Sequence, residues 1–189
     1  MFSTKDQTEN IINLIWDREK YYLVAAGESA PSKRELKAFA SAYGVKFPAE
    51  YLAHASNPWG GLYLEVREEF WPRHKAGDVG PFWSFLYGVF VHALSDEAPE
   101  WMQLRPAADE FKEMGHQVIP FLKVIGDADV YCFDRDGQIQ RWSHEEDIFD
   151  PYDGGFFDVL RYEFLELEER RERKQAEQGS DGKPDTVVS

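Results

Sequence analysis

The chain has one cysteine and few basic residues. Cys132 is the only cysteine among 189 residues, which excludes an intrachain disulfide and a zinc site with several cysteine ligands. Lysine and arginine number 21 against 35 aspartates and glutamates, so the net charge is −14. A surface of that sign repels phosphate, which argues against direct binding of nucleic acid or of an anionic membrane. It suits a basic partner, or simply solubility.

The sequence also lacks the segments that direct a chain into or across a membrane. The first ten residues contain no apolar core of the kind found in a signal peptide, and no apolar run approaches the length of a membrane span. We therefore expect a cytoplasmic protein. Hydrophobic residues make up 43% of the chain and aromatic residues 15%, which is enough for a folded core in one domain, with or without a tail.

The motifs of common catalytic sites are missing. There is no Gly-x-Ser-x-Gly elbow and no glycine-rich phosphate loop, and nothing in the sequence places a histidine beside Cys132. Cys132 lies in a strand pattern, where it is expected to act as a small buried hydrophobic residue. We therefore predict a protein that is not an enzyme and that binds no cofactor or metal.

One pair of carboxylates leaves an alternative open. Asp127 and Asp129 are two residues apart, and on a strand this spacing places both side chains on one face. Such a pair can hold Mg²⁺ or Mn²⁺, although turn residues are the commoner explanation for it. A metal-dependent enzyme that uses these two aspartates is the least favoured of three functional hypotheses.

The predicted helices begin at recognisable residues. Ser32 and Glu35 form a capping box before a helix whose apolar residues share one face. Pro48 starts a second, short helix that ends near Ser56. A third helix is predicted over 106–114. The last helix of the chain is predicted to begin near Phe156. One further helix is predicted at the N-terminal end of the chain, before the capping box.

Alternating or continuous apolar runs predict the strands. These runs cover 62–66, 87–94, 120–125, 130–133 and 138–142. The dipeptide Asp136-Gly137 supplies the positive φ angles of a hairpin turn between the last two of them. The stretches 70–81 and 150–155 are predicted to be loops.

Acidic residues concentrate between residues 127 and 158. Ten carboxylates fall in this stretch and only Arg135 and Arg141 oppose them, which leaves a local charge of −8. Aromatic residues are interleaved with the acids, a composition typical of a binding face for a basic protein. A solvated hairpin whose rings all lie in the core fits the pattern equally well. The predicted partner-binding residues are Asp134, Asp136, Trp142, Glu145, Glu146, Asp150 and Tyr152.

The middle of the chain carries a series of short motifs. A helix is followed by a glycine, an apolar-Pro pair, an acid-Tyr pair and a Gly-Gly turn into a strand. The residues at these places are Glu35, Leu36, Gly44, Phe47, Pro48, Glu50, Tyr51, Gly60 and Gly61, and Gly126 stands in a corresponding turn of the second half. This arrangement resembles the Smi/Knr family of the SUKH superfamily. The motifs also have a packing role, because Pro48 begins a helix, Tyr51 packs inward and the glycines permit a tight turn.

The resemblance implies an α+β fold, with a mostly antiparallel sheet packed against N-terminal and C-terminal helices. It divides the chain into an N-terminal helical extension (1–31), a SUKH-like domain (32–167), a charged helix extension (168–178) and a disordered tail (179–189). Many bacterial members of this family are immunity proteins that neutralise a cognate toxin, often a nuclease. Others are regulatory interaction proteins.

The leading hypothesis is therefore a non-catalytic immunity protein whose acidic-aromatic face blocks a basic toxin by steric and electrostatic means. The second hypothesis is a regulatory adaptor with no toxin partner. A neighbouring gene that encodes a secreted multidomain toxin favours the first over the second.

Overall fold

The computed structural model describes residues 4–15, 17–25, 29–75, 77–78 and 80–181. In these residues seven strands form one antiparallel sheet, and each strand pairs with its neighbours in the sequence. The strands are β1 (Tyr21–Ala25), β2 (Leu62–Val66), β3 (Gly88–Val91), β4 (Ile119–Val124), β5 (Val130–Phe133), β6 (Ile139–Ser143) and β7 (Ile148–Pro151). The helices are α1 (Thr4–Ile15), α2 (Lys33–Ala42), α3 (Ala49–Ala55), α4 (Leu104–Glu113) and α5 (Phe156–Asp181). The predicted α+β class, with an antiparallel sheet and helices at both ends of the chain, is confirmed.

The starts of α2 and α3 follow the predicted local rules. The Ser32 side chain accepts a hydrogen bond from the Glu35 backbone N–H, and the Glu35 carboxylate accepts one from the Ser32 backbone N–H. This reciprocal pair satisfies two donors that a helix otherwise leaves unpaired. Pro48 precedes α3 with an extended backbone, and its carbonyl accepts the first hydrogen bond of that helix, from Leu52.

The main core lies on one side of the sheet, which we call the α5 side. Its centre is Tyr51, which is fully buried, as predicted. The Tyr51 ring packs against Phe47 at 4.7 Å, Phe133 at 5.0 Å and Phe156 at 5.4 Å between ring centroids. These contacts join α3, β5 and α5 through rings that combine a large buried area with favourable edge-to-face geometry.

A smaller core lies on the opposite side of the sheet, under α4, which we call the α4 side. Its buried members are Phe111, Val118, Val130, Cys132 and Trp142. The alternation of side chains along β5 explains the division, because Tyr131 and Phe133 belong to the main core whereas Cys132 belongs to this one. Cys132 is fully buried, and burial raises the pKa of its thiol.

Two strands were not expected from the sequence. The segment that was predicted as a helical extension contains β1, which pairs with all five residues of β2. The aromatic and β-branched residues of β1 fit a strand, but five residues give too short a pattern to stand out beside a helix. At the other edge of the sheet, β7 reaches into the predicted loop 150–155 and pairs with β6.

The two ends of the described chain pack together. Buried residues of α1, such as Ile11 and Ile12, share one core with Leu160 and Phe164 of α5. The first helix is thus part of the main core. Helix α5 continues through Gly179 to Asp181, three residues into the segment that was predicted to be disordered. The remainder of that segment, 182–189, lies outside the described residues.

The Gly60-Gly61 pair allows the chain to turn from α3 into β2. A Cβ atom on Gly60 would lie 2.5 Å from the carbonyl oxygen of Ala55, closer than van der Waals contact permits. Gly61 has φ +81°, a backbone conformation that glycine adopts without strain. Both glycines therefore have the packing role that the sequence predicted. In the residues described, no helix combines the length and apolar character that crossing a bilayer requires.

Two buried histidines make the stability of the fold dependent on pH. His54 is fully buried, with Nδ1 3.1 Å from Thr8 Oγ1, and burial lowers its pKa to about 3. Burial likewise lowers the pKa of His92 to about 4. Both imidazoles stay neutral in the folded chain but bind a proton near pH 6.5 when it unfolds. The contribution of the two histidines to the free energy of unfolding is therefore fully present above pH 6.5. It is lost progressively as the pH drops toward 4.

Urea denaturation at pH 7.5, 6.0 and 5.0 measures this effect. Each histidine contributes a loss of up to about 1.4 kcal/mol per pH unit in the interval between its unfolded and folded pKa. We expect His54→Gln to reduce the pH dependence by about half, whatever its effect on stability at pH 7.5. An equal pH dependence in the His54 variant and the parent would contradict the prediction.

Candidate partner-binding surface

The structure separates the predicted partner-binding acids into two groups. Asp134 and Asp136 lie in the turn between β5 and β6, whereas Glu145 and Glu146 lie in the turn between β6 and β7. These turns are at opposite ends of β6, whose five residues span roughly 16 Å at the usual rise per residue. The seven predicted residues therefore do not form one continuous face.

The two predicted aromatic residues lie on opposite sides of the sheet. Trp142 is 7% exposed and packs on the α4 side, with its ring centroid 4.9 Å from that of Phe111. Tyr152 packs on the α5 side, with its ring 5.8 Å from that of Tyr131. Trp142 thus anchors the sheet to α4, and its ring is not available as a contact surface.

The Asp134 carboxylate accepts hydrogen bonds within the β5–β6 turn and from β6. Its Oδ1 atom accepts hydrogen bonds of 2.9 Å from the backbone N–H groups of Asp136 and Gln138. Its Oδ2 atom accepts a third bond from the side chain of Gln140 at 3.1 Å. An aspartate that satisfies backbone donors two and four residues ahead stabilises a tight turn, so Asp134 has a structural role here.

The predicted acids in the turn between β6 and β7, Glu145 and Glu146, are exposed. We define the acidic hairpin as residues 144–150, the turn between β6 and β7 together with most of β7. Its exposed acids are Glu145, Glu146, Asp147 and Asp150, and no lysine or arginine falls within it. Ile148 lies among them with 43% of its surface exposed. The hairpin therefore presents one exposed apolar side chain and four exposed carboxylates, and Arg141 of β6 is the register partner of Asp150.

Asp147 holds the acidic hairpin in shape. The indole Nε1–H of Trp142 donates a 2.9 Å hydrogen bond to Asp147 Oδ1, and His116 Nε2 lies 2.9 Å from the same oxygen. The hydrogen bond from Trp142, together with the nearby His116, lowers the pKa of the Asp147 carboxyl. Asp147 has φ +51°, which an aspartate tolerates better than most residues. Asp147 is not among the partner-binding residues predicted from the sequence, because nothing in its neighbours Glu146 and Ile148 indicates its contacts with Trp142 and His116.

Asp127 and Asp129 face an arginine. Arg141 Nη2 lies 3.1 Å from Asp127 Oδ2 and 3.4 Å from Asp129 Oδ2. Asp129 also accepts a 3.1 Å hydrogen bond from the backbone N–H of His144, which fixes the start of the acidic hairpin. Across the part of the chain that the structure describes, no group of three or more His, Cys, Asp or Glu side chains could hold a metal ion.

A second ionic network joins the sheet to α5. The Tyr131 hydroxyl donates a 2.8 Å hydrogen bond to Glu163 Oε1, and Arg170 Nη2 lies 3.5 Å from Glu163 Oε2. Burial raises the pKa of Glu163, and the hydrogen bond from Tyr131 only partly offsets this effect. No local sequence pattern marks Glu163, because its partner Tyr131 lies 32 residues earlier in the chain and Arg170 lies about two turns further along α5.

Together, the fold and this surface define an α+β protein with an antiparallel meander sheet and an exposed acidic hairpin at one sheet edge. No family model, no curated protein and no solved structure matches the chain. The resemblance to the Smi/Knr family stays a prediction from its sequence motifs.

Proposed function

We propose that this chain is a non-catalytic, cytoplasmic protein-binding domain that neutralises a cognate toxin, as the SUKH immunity proteins that it resembles do. The observation that carries the proposal is the acidic hairpin. It carries four exposed carboxylates and the exposed Ile148 at a sheet edge, and hydrogen bonds with Trp142 and Asp129 tie it to the rest of the sheet. A surface that is already ordered loses little conformational entropy when it binds.

The charge of the acidic hairpin indicates the chemistry of the partner. A compact group of carboxylates attracts a basic surface and accelerates the diffusional encounter with it. A nuclease toxin has such a surface in its phosphate-binding cleft, which an acidic inhibitor can occupy. Ile148 supplies an exposed apolar side chain in this hairpin that a partner can bury.

Charge reversal in the acidic hairpin tests the proposal. The partner to use is the toxin domain encoded beside this chain in its native genome. We expect the triple variant Glu145→Lys, Glu146→Lys, Asp150→Lys to bind that domain at least ten times more slowly at low ionic strength. The association rate of the variant should also lose most of its dependence on salt.

A matched control reverses three exposed acids toward the other edge of the sheet, Glu68, Glu69 and Asp96. This control makes the same change in net charge, so it separates a local effect of the hairpin from the effect of total charge. Equal association rates for the two triple variants would overturn the assignment of the surface. Absence of any adjacent toxin, with binding to a host regulatory protein instead, would favour the adaptor function.

A further inference from the structure

A cleft of about 770 Å³ lies on the α4 side of the sheet. The sheet residues of β2 to β5 form its floor, and the segment from Glu100 to Phe111 forms one wall. Pockets for small organic ligands commonly have volumes of 300–1,000 Å³ and are lined by aromatic side chains with a few polar groups. The cleft has the size and the composition of such a pocket.

Five aromatic side chains line the cleft, and three of them (Tyr63, Phe90 and Trp101) contact one another. Tyr63 and Phe90 are direct partners in the register between β2 and β3, so their rings project from the same side of the sheet. Trp101 stands over both, with its ring centroid 5.6 Å from Tyr63 and 5.2 Å from Phe90. Trp101 is 55% exposed, which leaves a large apolar surface in contact with water at the cleft. A flat or branched apolar group is the natural occupant of such a surface.

Lys123 places a positive charge in the floor of this cleft. It is the register partner of Phe90 in β3 and of Val130 in β5, and it is half-buried. In the described residues the Lys123 ammonium has no ion pair. The imidazole of His92, which also lines the cleft, is directed to the Met102 carbonyl at 3.3 Å. Lys123 is therefore the one charged group available at the floor of the described cleft.

We propose that the cleft binds a small apolar monocarboxylate. The carboxylate pairs with Lys123, and the aromatic or branched body of the ligand packs against Tyr63, Phe90 and Trp101. Glu100 and Glu110 are exposed lining residues, and their charges disfavour ligands with a second negative group, such as phosphates or dicarboxylates. This inference does not depend on the proposed toxin-binding function.

Calorimetric titration with 3-phenylpropionate tests the proposal. The matched probes are 3-phenylpropanamide, which has the same body without charge, and 3-phenylpropylamine, which carries the opposite charge. We expect 3-phenylpropionate to bind with a dissociation constant below about 1 mM and each matched probe to bind at least tenfold more weakly. Equal binding of the amide, stronger binding of the amine, or no binding of the carboxylate would overturn the proposal.

Substitutions show whether the ligand occupies this cleft. Lys123→Met should weaken 3-phenylpropionate at least tenfold, whereas Lys37→Met, on the exposed face of α2, should leave its affinity unchanged. Trp101→Ala should also lower the affinity for 3-phenylpropionate. Trp83→Ala, which changes a residue outside the cleft, should leave this affinity unchanged. Thermal melts confirm that each variant folds. Amide chemical shifts that move in β2 to β5 and near Trp101 support the site, and unchanged affinity in the Lys123 variant contradicts it.

Discussion

Replacing Glu168 by alanine is expected to lower the free energy of unfolding by about 3 kcal/mol, because it leaves a buried guanidinium without the carboxylate that accepts two of its hydrogen bonds. Arg171 is 3% exposed, and its Nε and Nη2 atoms donate to the two oxygens of Glu168 at 3.0 and 2.6 Å. The Tyr21 hydroxyl donates to the same carboxylate. Burial alone would raise the pKa of Glu168, but the hydrogen bonds from Arg171 and Tyr21 outweigh burial and lower it.

The neighbouring residue Glu172 is a matched control for this prediction. Its carboxylate lies 3.5 Å from Arg171 Nη2, but its side chain is 66% exposed. Solvent screens such a pair, so Glu172→Ala should cost less than about 0.5 kcal/mol. Urea denaturation at pH 7 measures both variants, and Arg171→Met in the Glu168→Ala background should recover part of the loss. Equal losses for the two glutamates would contradict the prediction.

Replacing Phe121 by alanine is expected to lower the free energy of unfolding by about 3–5 kcal/mol, since it opens a cavity in the main core. Phe121 is fully buried in β4 and stacks on Phe133 with a centroid distance of 4.1 Å. Its ring also contacts Tyr51 and Phe156, so one truncation weakens packing between the sheet and two helices.

A graded series checks the packing argument. Phe121→Leu keeps most of the buried volume and should cost clearly less than the alanine variant. Phe82→Ala removes an identical side chain that is 59% exposed, and we expect a change within about 0.5 kcal/mol. Urea denaturation measures all three variants: a shift of the midpoint with an unchanged slope of free energy against urea concentration reports a change in stability. A loss at Phe121 no larger than that at Phe82 would refute the role assigned to this ring.

Local features of the fold could be predicted from the sequence because neighbouring residues determine them. The capping box of Ser32 and Glu35 involves residues three apart, and the Asp-Gly turn between β5 and β6 involves adjacent ones. The apolar period of α4 and of the first half of α5 is also visible in short windows. The structure contains each of these elements close to its predicted place.

The predicted binding face could not be placed from the sequence, because it depends on which side of the sheet each residue occupies. Trp142 and Tyr152 are ten residues apart, but a strand and a turn between them carry their rings to opposite sides. The sequence showed the acids as one continuous stretch, whereas β6 separates Asp136 from Glu145. Only the group around the acidic hairpin still forms a compact charged surface.

Arg171 Nε also donates a 3.3 Å hydrogen bond to the Tyr21 hydroxyl, and this contact joins β1 to α5, which a simple meander of neighbouring strands would not do. Its two side chains lie 150 positions apart, while each pair of neighbouring strands is joined by a much shorter connection. Closing a long loop costs more chain entropy than closing a hairpin, so we expect β4 to β7 to assemble first on the folding pathway and this contact to form last. Substitutions at either residue should then accelerate unfolding and leave the refolding rate almost unchanged.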